Sequence, residues 1–328
     1  MKSLHRIAAV SVALAVVGAA HAQDASKSRA WPTKPIRLVV PFTPGSASDV
    51  LGRIVGIRLT EIYGQQLVID NRPGAGGLIG SELVKHAAPD GYTLAMVGQP
   101  HLSNALMRGD QKPYDPINDY ASISFVAATA NVIVLGKGIE VKNIPDLIAM
   151  AKAKPGQLNY GSAGVGSSSH LAGALFASKA DINVVHVPFR IGADSRSALM
   201  AGTIHYYVYP APAIMGVIKA GQLRALAVGS PKRAAALPDV PTAAEAGFGA
   251  YRSESWFGII APRAVPKPLI TRINADTVKV LQEPGIREKI LAQGAQAGFG
   301  PPEHFAKMQR DEYAELATLI KQIGMKVQ

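Results

Sequence analysis

This sequence predicts an α/β protein built from two units, each a mainly parallel sheet covered by helices. Three observations predict it. Short apolar runs rich in β-branched residues alternate with segments whose apolar residues recur at helical spacing, first over 36–97 and again over 158–228. Apolar residues fill 48% of the 328 positions and charged residues 17%, which suits about two packed domains and excludes a disordered chain. Two uncharged apolar stretches, near 123–135 and 256–260, suit strands that cross between two lobes.

The elements follow in order. Residues 36–40 form a short apolar run and read as a buried strand. Val50, Ile54, Ile57 and Leu59 give 49–63 a helical period, and Gly64 stands just past its end as a C-cap. Strand 67–69, helix 80–86 and strand 92–97 complete a β-α-β-α-β unit. Residues 123–135 carry no charge and read as one long strand or two joined by a turn. Helix 145–152 has Pro145 in its first turn. The second unit reads as strand 158–160, helix 169–180, strand 184–187, helix 193–201, strand 204–209, helix 213–220 and strand 223–228. Strand 256–260 is followed by helices 270–281, 285–292 and 302–323. The two units could be domains in series, or the C-terminal helices could fold back on the first; periodicity does not choose.

The first 22 residues have the layout of a secretory signal peptide: Lys2 and Arg6, an uncharged run over 7–20, then Ala20-His21-Ala22. The alternative is an N-terminal membrane anchor. No later stretch is apolar and long enough to span a bilayer, so the mature chain is expected to be soluble and exported, periplasmic in a Gram-negative source. The absence of Cys excludes a lipoprotein, disulfides, zinc–thiolate and iron–sulfur sites and a cysteine nucleophile. The net charge of +11 is spread out, with no run of five basic residues, and aromatics are 6%. Nucleic acid is therefore not an expected partner. A positive field still helps attract small anions.

Two βα turns are candidate sites. In Pro41-Phe42-Thr43-Pro44-Gly45-Ser46-Ala47-Ser48-Asp49, small residues let backbone amides approach a ligand, and Ser46, Ser48 and Asp49 can cap a helix whose N-terminus attracts anions. The alternative is an ordinary capped turn. The second, 159–170, offers Gly and Ser donors with no carboxylate, as a bound anion requires. It lacks the Lys of a phosphate loop, and its alternative is a flexible turn. The turn at 71–80 superficially resembles a dinucleotide site, but Ile79 replaces the third glycine and no acidic residue follows at the expected place. No metalloprotease or nucleophile-elbow motif is present; a dispersed Ser/His triad is the remaining enzymatic option.

A set of motifs occurs in order along the chain. Trp31-Pro-x-Lys-Pro-Ile-Arg37 runs into Val40-Pro-Phe-x-x-Gly45 and Asp49, followed by Asn71-Arg-Pro-Gly-Ala-Gly-Gly77 and Pro89-Asp-Gly-Tyr-Thr-Leu94. Leu158-Asn-Tyr160, Gly164-Val-Gly-Ser167, Ser169-His-Leu-Ala-Gly173, Val185-His-Val-Pro-Phe189, Ala220-Gly-x-Leu-Arg-Ala-Leu-Ala-Val228 and Leu237-Pro-Asp-Val-Pro-Thr242 follow. The mature chain resembles, over essentially its whole length, the Bug (TctC-type) periplasmic solute-binding proteins of tripartite tricarboxylate transporters.

The resemblance implies a two-lobed flytrap of the type II-like periplasmic-binding-protein fold, with mixed, mainly parallel sheets joined by two crossing strands. Lobe one would be 31–129 plus 253–328, and lobe two 130–252. It implies an organic anion, most often a carboxylate, held in the cleft between the two loops, partly through ordered water. Carried over residue by residue, this points to Phe42, Gly45, Ser46, Ser48 and Asp49 in lobe one, and to Ser162, Gly164, Gly166, Ser168 and His170 in lobe two. It implies a monomer without metal or cofactor that makes and breaks no bond. Its partners would be the small carboxylate and the permease subunits of a transporter, or alternatively a membrane sensor. An exported hydrolase-like enzyme is the competing reading.

The chain departs from the family pattern at Pro44 and Ser48, and at Gln99, Pro100 and His101. It departs also at Tyr209, where many members carry Asp. Alternation puts His205, Tyr207 and Tyr209 on one strand face. Tyr offers a flat apolar face and a hydroxyl in place of a negative charge. The expected ligand is therefore a carboxylate lacking an amino group, with an apolar or aromatic body.

Overall fold

The structure, a computed structural model, describes residues 31–190 and 192–325. The expected leader, 1–22, lies outside the described residues. Strands β1 (Ile36–Val40), β2 (Leu67–Asn71) and β3 (Thr93–Gly98) are linked by helices α1 (Ala47–Tyr63) and α2 (Leu78–Lys85), and β1 pairs in parallel with both other strands. A helix not expected from the sequence, α3 (Pro100–Arg108), follows β3 directly. Its buried face mixes Leu102, Ala105 and Met107 with His101, Ser103 and Asn104. Buried polar residues there hide the apolar period.

The run at 123–135 is one strand, β4 (Tyr120–Leu135), and it belongs to two sheets. Tyr120–Ala130 pairs antiparallel with β9 (Glu254–Pro262), which in turn pairs with β3. Asn131–Leu135 pairs antiparallel with β7 (Tyr206–Pro210). Beside β7 in this second sheet lie β5 (Asn159–Ser162) and β6 (Val185–Pro188), both parallel, while β8 (Arg224–Val228) pairs with the other side of β4. The second sheet carries helices α4 (Ile144–Ala153), α5 (Ser168–Ala180), α6 (Gly192–Ala201) and α7 (Met215–Lys219). The chain returns at Ser253, whose backbone bonds both Asn131 and Gly229, and then enters β9. Helices α8 (Lys267–Gln282) and α9 (Pro284–Ala292), short β10 (Ala295–Ala297) on β4, and α10 (Pro302–Gln322) then cover the first sheet. The C-terminal helices thus fold back on the first unit.

Strand alternation sorts the core. Ile36, Leu38 and Val40 share one buried cluster with α1 and α8, whereas Val39 joins another with Phe305 and Leu316 of α10. In the second sheet, Tyr206 and Val208 face α4 and α5, while Tyr207 and Tyr209 face the opposite cluster with Leu199 of α6. The buried stripe of α1 is Leu51, Val55 and Leu59 with Gly52 and Gly56; Ile57 is 63% exposed, against the expectation that it faces the core. The physical reason is close packing. A Cβ at Gly56 would lie 3.0 Å from Leu67 Cδ2, so the two glycines seat the helix against the sheet.

Candidate ligand-binding cleft

The turn after β1 is held from behind. Ser46 is the N-cap of α1 and accepts from Asp49 N at 3.3 Å, and Asp49 Oδ2 accepts from Gly45 N at 2.9 Å. Arg53 Nη2 donates to Asp49 Oδ1 at 2.9 Å, and Asn71 Nδ2 donates to Asp49 Oδ1 at 3.1 Å and to Phe42 O at 2.9 Å. Burial pushes the Asp49 carboxyl up, but the bonds from Arg53, Gly45 and Asn71 outweigh it and hold the group below the usual carboxylate range. Asp49 therefore spends its charge inside the turn. The N–H groups of Ala47 and Ser48 find no protein acceptor among the described residues.

The turn after β5 has the same plan in the other half. Ser167 is the N-cap of α5, accepts from His170 N at 3.3 Å, and donates to Gly164 O at 2.7 Å. Ser162 Oγ donates to Gly164 O at 3.2 Å and lies 2.6 Å from His186 Nε2. Gly166 N donates to His170 Nδ1 at 3.2 Å, and the rings of His170 and His186 stack at 3.9 Å. Burial lowers the two imidazoles to about 3 and about 4, His170 also feeling His186 beside it, so both are neutral near pH 7. They shape the loop without charging it. The N–H groups of Ser168 and Ser169 are again unclaimed by protein among the described residues.

Both helix starts open on one cavity. Phe42, Thr43, Gly45, Ser46, Ala47 and Ser48 line it from the first turn, with Gly98, Pro100 and Phe257 beside them. Ala163, Ser168, Ser169, Gly192, Arg196, Tyr207, Tyr209, Pro210 and Ala213 complete the wall. Of the residues singled out from the sequence, Phe42, Gly45, Ser46, Ser48, Ser168 and Tyr209 line the cavity. Asp49, Ser162, Gly164, Gly166 and His170 stand behind the lining, where they hold the two turns. The Tyr207 and Tyr209 rings stack at 3.6 Å, and their hydroxyls lie 3.1 Å from Ser169 Oγ and 2.9 Å from Ser195 Oγ. Burial pushes the Tyr207 phenol up to about 12, so it stays a neutral hydroxyl. Among the described residues, Arg196 is the one charged residue in the lining, and no Asp or Glu lines it.

The sequence does not point to Arg196 or Gly192, and Thr43 lies in the first candidate turn without standing out within it. No apolar period marks which face of α6 meets a cavity, and no pattern in the chain predicts that α6 comes to the first turn. Tyr207 and Ser169 carried a signal: the first shares the strand face of Tyr209, and the second lies in the Gly/Ser run.

The halves touch around the cavity. Gly192 N donates to Thr43 Oγ1 at 3.4 Å, Ser103 Oγ donates to Gly166 O at 3.1 Å, and Asn104 Nδ2 donates to Gly76 O at 2.9 Å and to Gly166 O at 3.4 Å. The glycine turn at 74–77 thus serves as a contact with the second turn, not as a nucleotide loop. Leu171 of α5 shares a buried cluster with Trp256 and Phe305 of the other half. Among the described residues, no cluster of His, Asp and Glu could hold a metal ion, and no helix is long and apolar enough to cross a membrane.

The model of the family described as "Tripartite tricarboxylate transporter family receptor" matches residues 51–325. Protein BugT of Bordetella pertussis is 30% identical over 328 residues, covering 100% of both chains. Rpa4515 of R. palustris, solved with adipate, has 34% identity and a TM-score of 0.86, covering 90% of this chain and 99% of its own. MatC of Rhodopseudomonas palustris, with bound malate, has 25% identity and a TM-score of 0.83, covering 88% and 100%. With the two-sheet fold and the cleft between the halves, these matches show that the chain belongs to the TctC (Bug) family of tripartite tricarboxylate transporter receptors and is a periplasmic solute-binding protein of that type.

Proposed function

We propose that the protein captures a small organic carboxylate in this cleft and delivers it to the membrane subunits of a tripartite tricarboxylate-type transporter. The lobes that close on the ligand are 31–129 plus 253–328, and 130–252. One observation carries the reading: two helix N-termini, one from each lobe, present N–H groups that have no protein acceptor among the described residues to a cavity lined by a guanidinium and, among those residues, by no acid. Each helix start favours an anion by about 0.3–1 kcal/mol where exposed, and by more when partly buried. The adipate and malate bound by similar proteins support the same chemistry. The binding role takes no covalent step. Ser162 beside His186 is not set up as a nucleophile, because its hydroxyl is fully buried and donates to Gly164 O. Phe42, Phe257 and the Tyr207–Tyr209 stack give the ligand's body an apolar wall, and among the described residues no acid lines the cavity to meet an ammonium.

A thermal-shift screen of the mature protein tests this with aspartate, glutamate, citrate, succinate, adipate, benzoate and terephthalate. A ligand at about a hundred times its Kd adds about 2.7 kcal/mol, which raises Tm by several degrees. Stabilisation by acids lacking an ammonium is expected, with no product formed. Stabilisation by the amino acids alone contradicts the reading of Tyr209, and turnover of any acid contradicts the binding role.

A further inference from the structure

We propose that capture of the anion takes up a proton at Glu312, in a second crevice between the two halves. This rests on the reading that the halves close on a carboxylate, and adds a proton to that step. The first half walls the crevice with Gln99 and with Glu312 and Glu315 of α10, and the second with Leu171, Ala172 and Leu175 of α5. The start of α5, at Ser168 and Ser169, lines the ligand cavity. A movement that brings this helix start to an anion therefore also lays its apolar face over Glu312.

Glu312 is half-buried and its two hydrogen-bond partners are neutral. Gln99 Nε2 donates to Glu312 Oε1 at 2.8 Å, and Trp256 Nε1 donates to Glu312 Oε2. These partners fit both states of the acid. An indole N–H only donates, but a carboxamide has an acceptor as well as donors, so turning the Gln99 amide over lets its oxygen accept from a protonated Glu312. Gln99 lies between Gly98 and Pro100, which both line the ligand cavity. The charged groups lining the crevice beside Glu312 are Glu254, Glu315 and Arg252; Glu315 repels the charge on Glu312, and Arg252 acts on Glu254. Helix α3, packed against α10, brings His101, bonded to Ser81 and Pro116 O, and Arg108, bonded to Asn104. A carboxyl roofed by apolar side chains, with a like charge near it, favours its neutral form. Burial is the main cause that raises Glu312 to about 7 here. Withdrawing the α5 face lets water back and returns the group toward the ordinary glutamate range. The closed form then holds more protons near neutral pH, and the anion and the proton raise each other's affinity by the same factor.

The test uses adipate and terephthalate as probes, with fluorescence and titration calorimetry. Trp256 bonds to the acid and the only other tryptophan is Trp31, so intrinsic fluorescence follows Glu312. In wild type the pH midpoint of this signal is expected to rise toward about 7 when a probe saturates the protein, and to vanish in Glu312→Gln. Calorimetry is expected to show wild type binding about three- to fourfold more tightly at pH 6.5 than at pH 8, with about half a proton taken up at pH 7 when phosphate and Tris buffers are compared. The amide of Glu312→Gln offers the same acceptor and donor as the neutral acid. That variant is expected to bind at pH 8 at least as tightly as wild type and to lose the pH dependence. A thermal midpoint at pH 8 no lower than that of wild type shows that it is folded, and the proton count on wild type stands without it. No proton uptake by wild type, a midpoint that neither probe moves, or a variant that keeps the pH dependence overturns the inference and leaves the carboxylate reading standing. If neither probe binds, both fall.

Discussion

A Gly76→Ala protein is expected to fold and to lose affinity for its carboxylate by about a hundredfold or more, equivalent to about 2.7 kcal/mol. Gly76 has φ +66°, and a Cβ built there would lie 2.1 Å from Val165 O and 3.1 Å from Ser167 N, both backbone atoms of the turn after β5. Backbone cannot swing aside as a side-chain tip can. The left-handed conformation costs alanine about 1–2 kcal/mol, but that cost falls on every folded form and lowers overall stability only. Under the proposed closure of two lobes on the ligand, the clash arises only when they meet. It pushes apart the surfaces that carry the Ser103 and Asn104 bonds to Gly166 O. Apparent affinity falls in proportion to the fraction of molecules able to close. Calorimetry on the mature variant checks this; wild-type affinity would mean that capture does not use this contact.

Acid is expected to destabilise the protein already between pH 6.5 and 4, through its buried histidines. Burial lowers His101 to about 4, although its bond to Pro116 O works the other way, and His170 and His186 are lowered to about 3 and about 4. An unfolded histidine takes its proton near pH 6.5. Between about pH 6.5 and 4 the unfolded chain therefore binds more protons, and stability that is complete above pH 6.5 is lost as pH falls. Each unit of depression corresponds to about 1.4 kcal/mol, so three such groups remove several kcal/mol. Glu312 opposes them. Burial raises it to about 7 against the bonds from Gln99 and Trp256, so it gains stability as pH falls through 7. Burial raises Glu254 and Asp276 in the same sense and lowers His205 with the other histidines, and the raised carboxyls offset only part of the histidine loss. Thermal melts should show Tm falling by about ten degrees or more from pH 7 to pH 4. A Tm that stays level or rises over that interval would contradict this balance.

The strands and most helices were legible because their apolar periods are local. Residues 36–40, 92–97 and 204–209 could be read directly, and 123–135 was open only between one strand and two. What was not legible depends on neighbours. The α1 stripe was misplaced because Gly52 and Gly56, invisible to an apolar period, are its points of closest approach. Helix α3 was hidden because His101 and Asn104 are buried polar groups satisfied by distant partners, Ser81 for one and Gly76 and Gly166 for the other. In the site, composition pointed to the two turns as anion binders. It could not say that Ser48 faces the cavity while Asp49, one residue on, turns back to Arg53. Arg196 depends on how α6 is set against the first turn, a tertiary relation with no trace in local pattern.

The central claim is that a carboxylate sits between the two helix starts. A crystal structure of the mature protein with the acid that stabilises it most in the thermal screen tests it directly. The account predicts a carboxylate within hydrogen-bonding distance of the amides of Ala47 or Ser48 on one side and of Ser168 or Ser169 on the other. An acid bound outside the cleft, or bound inside it with its carboxylates turned away from both helix starts, would contradict it.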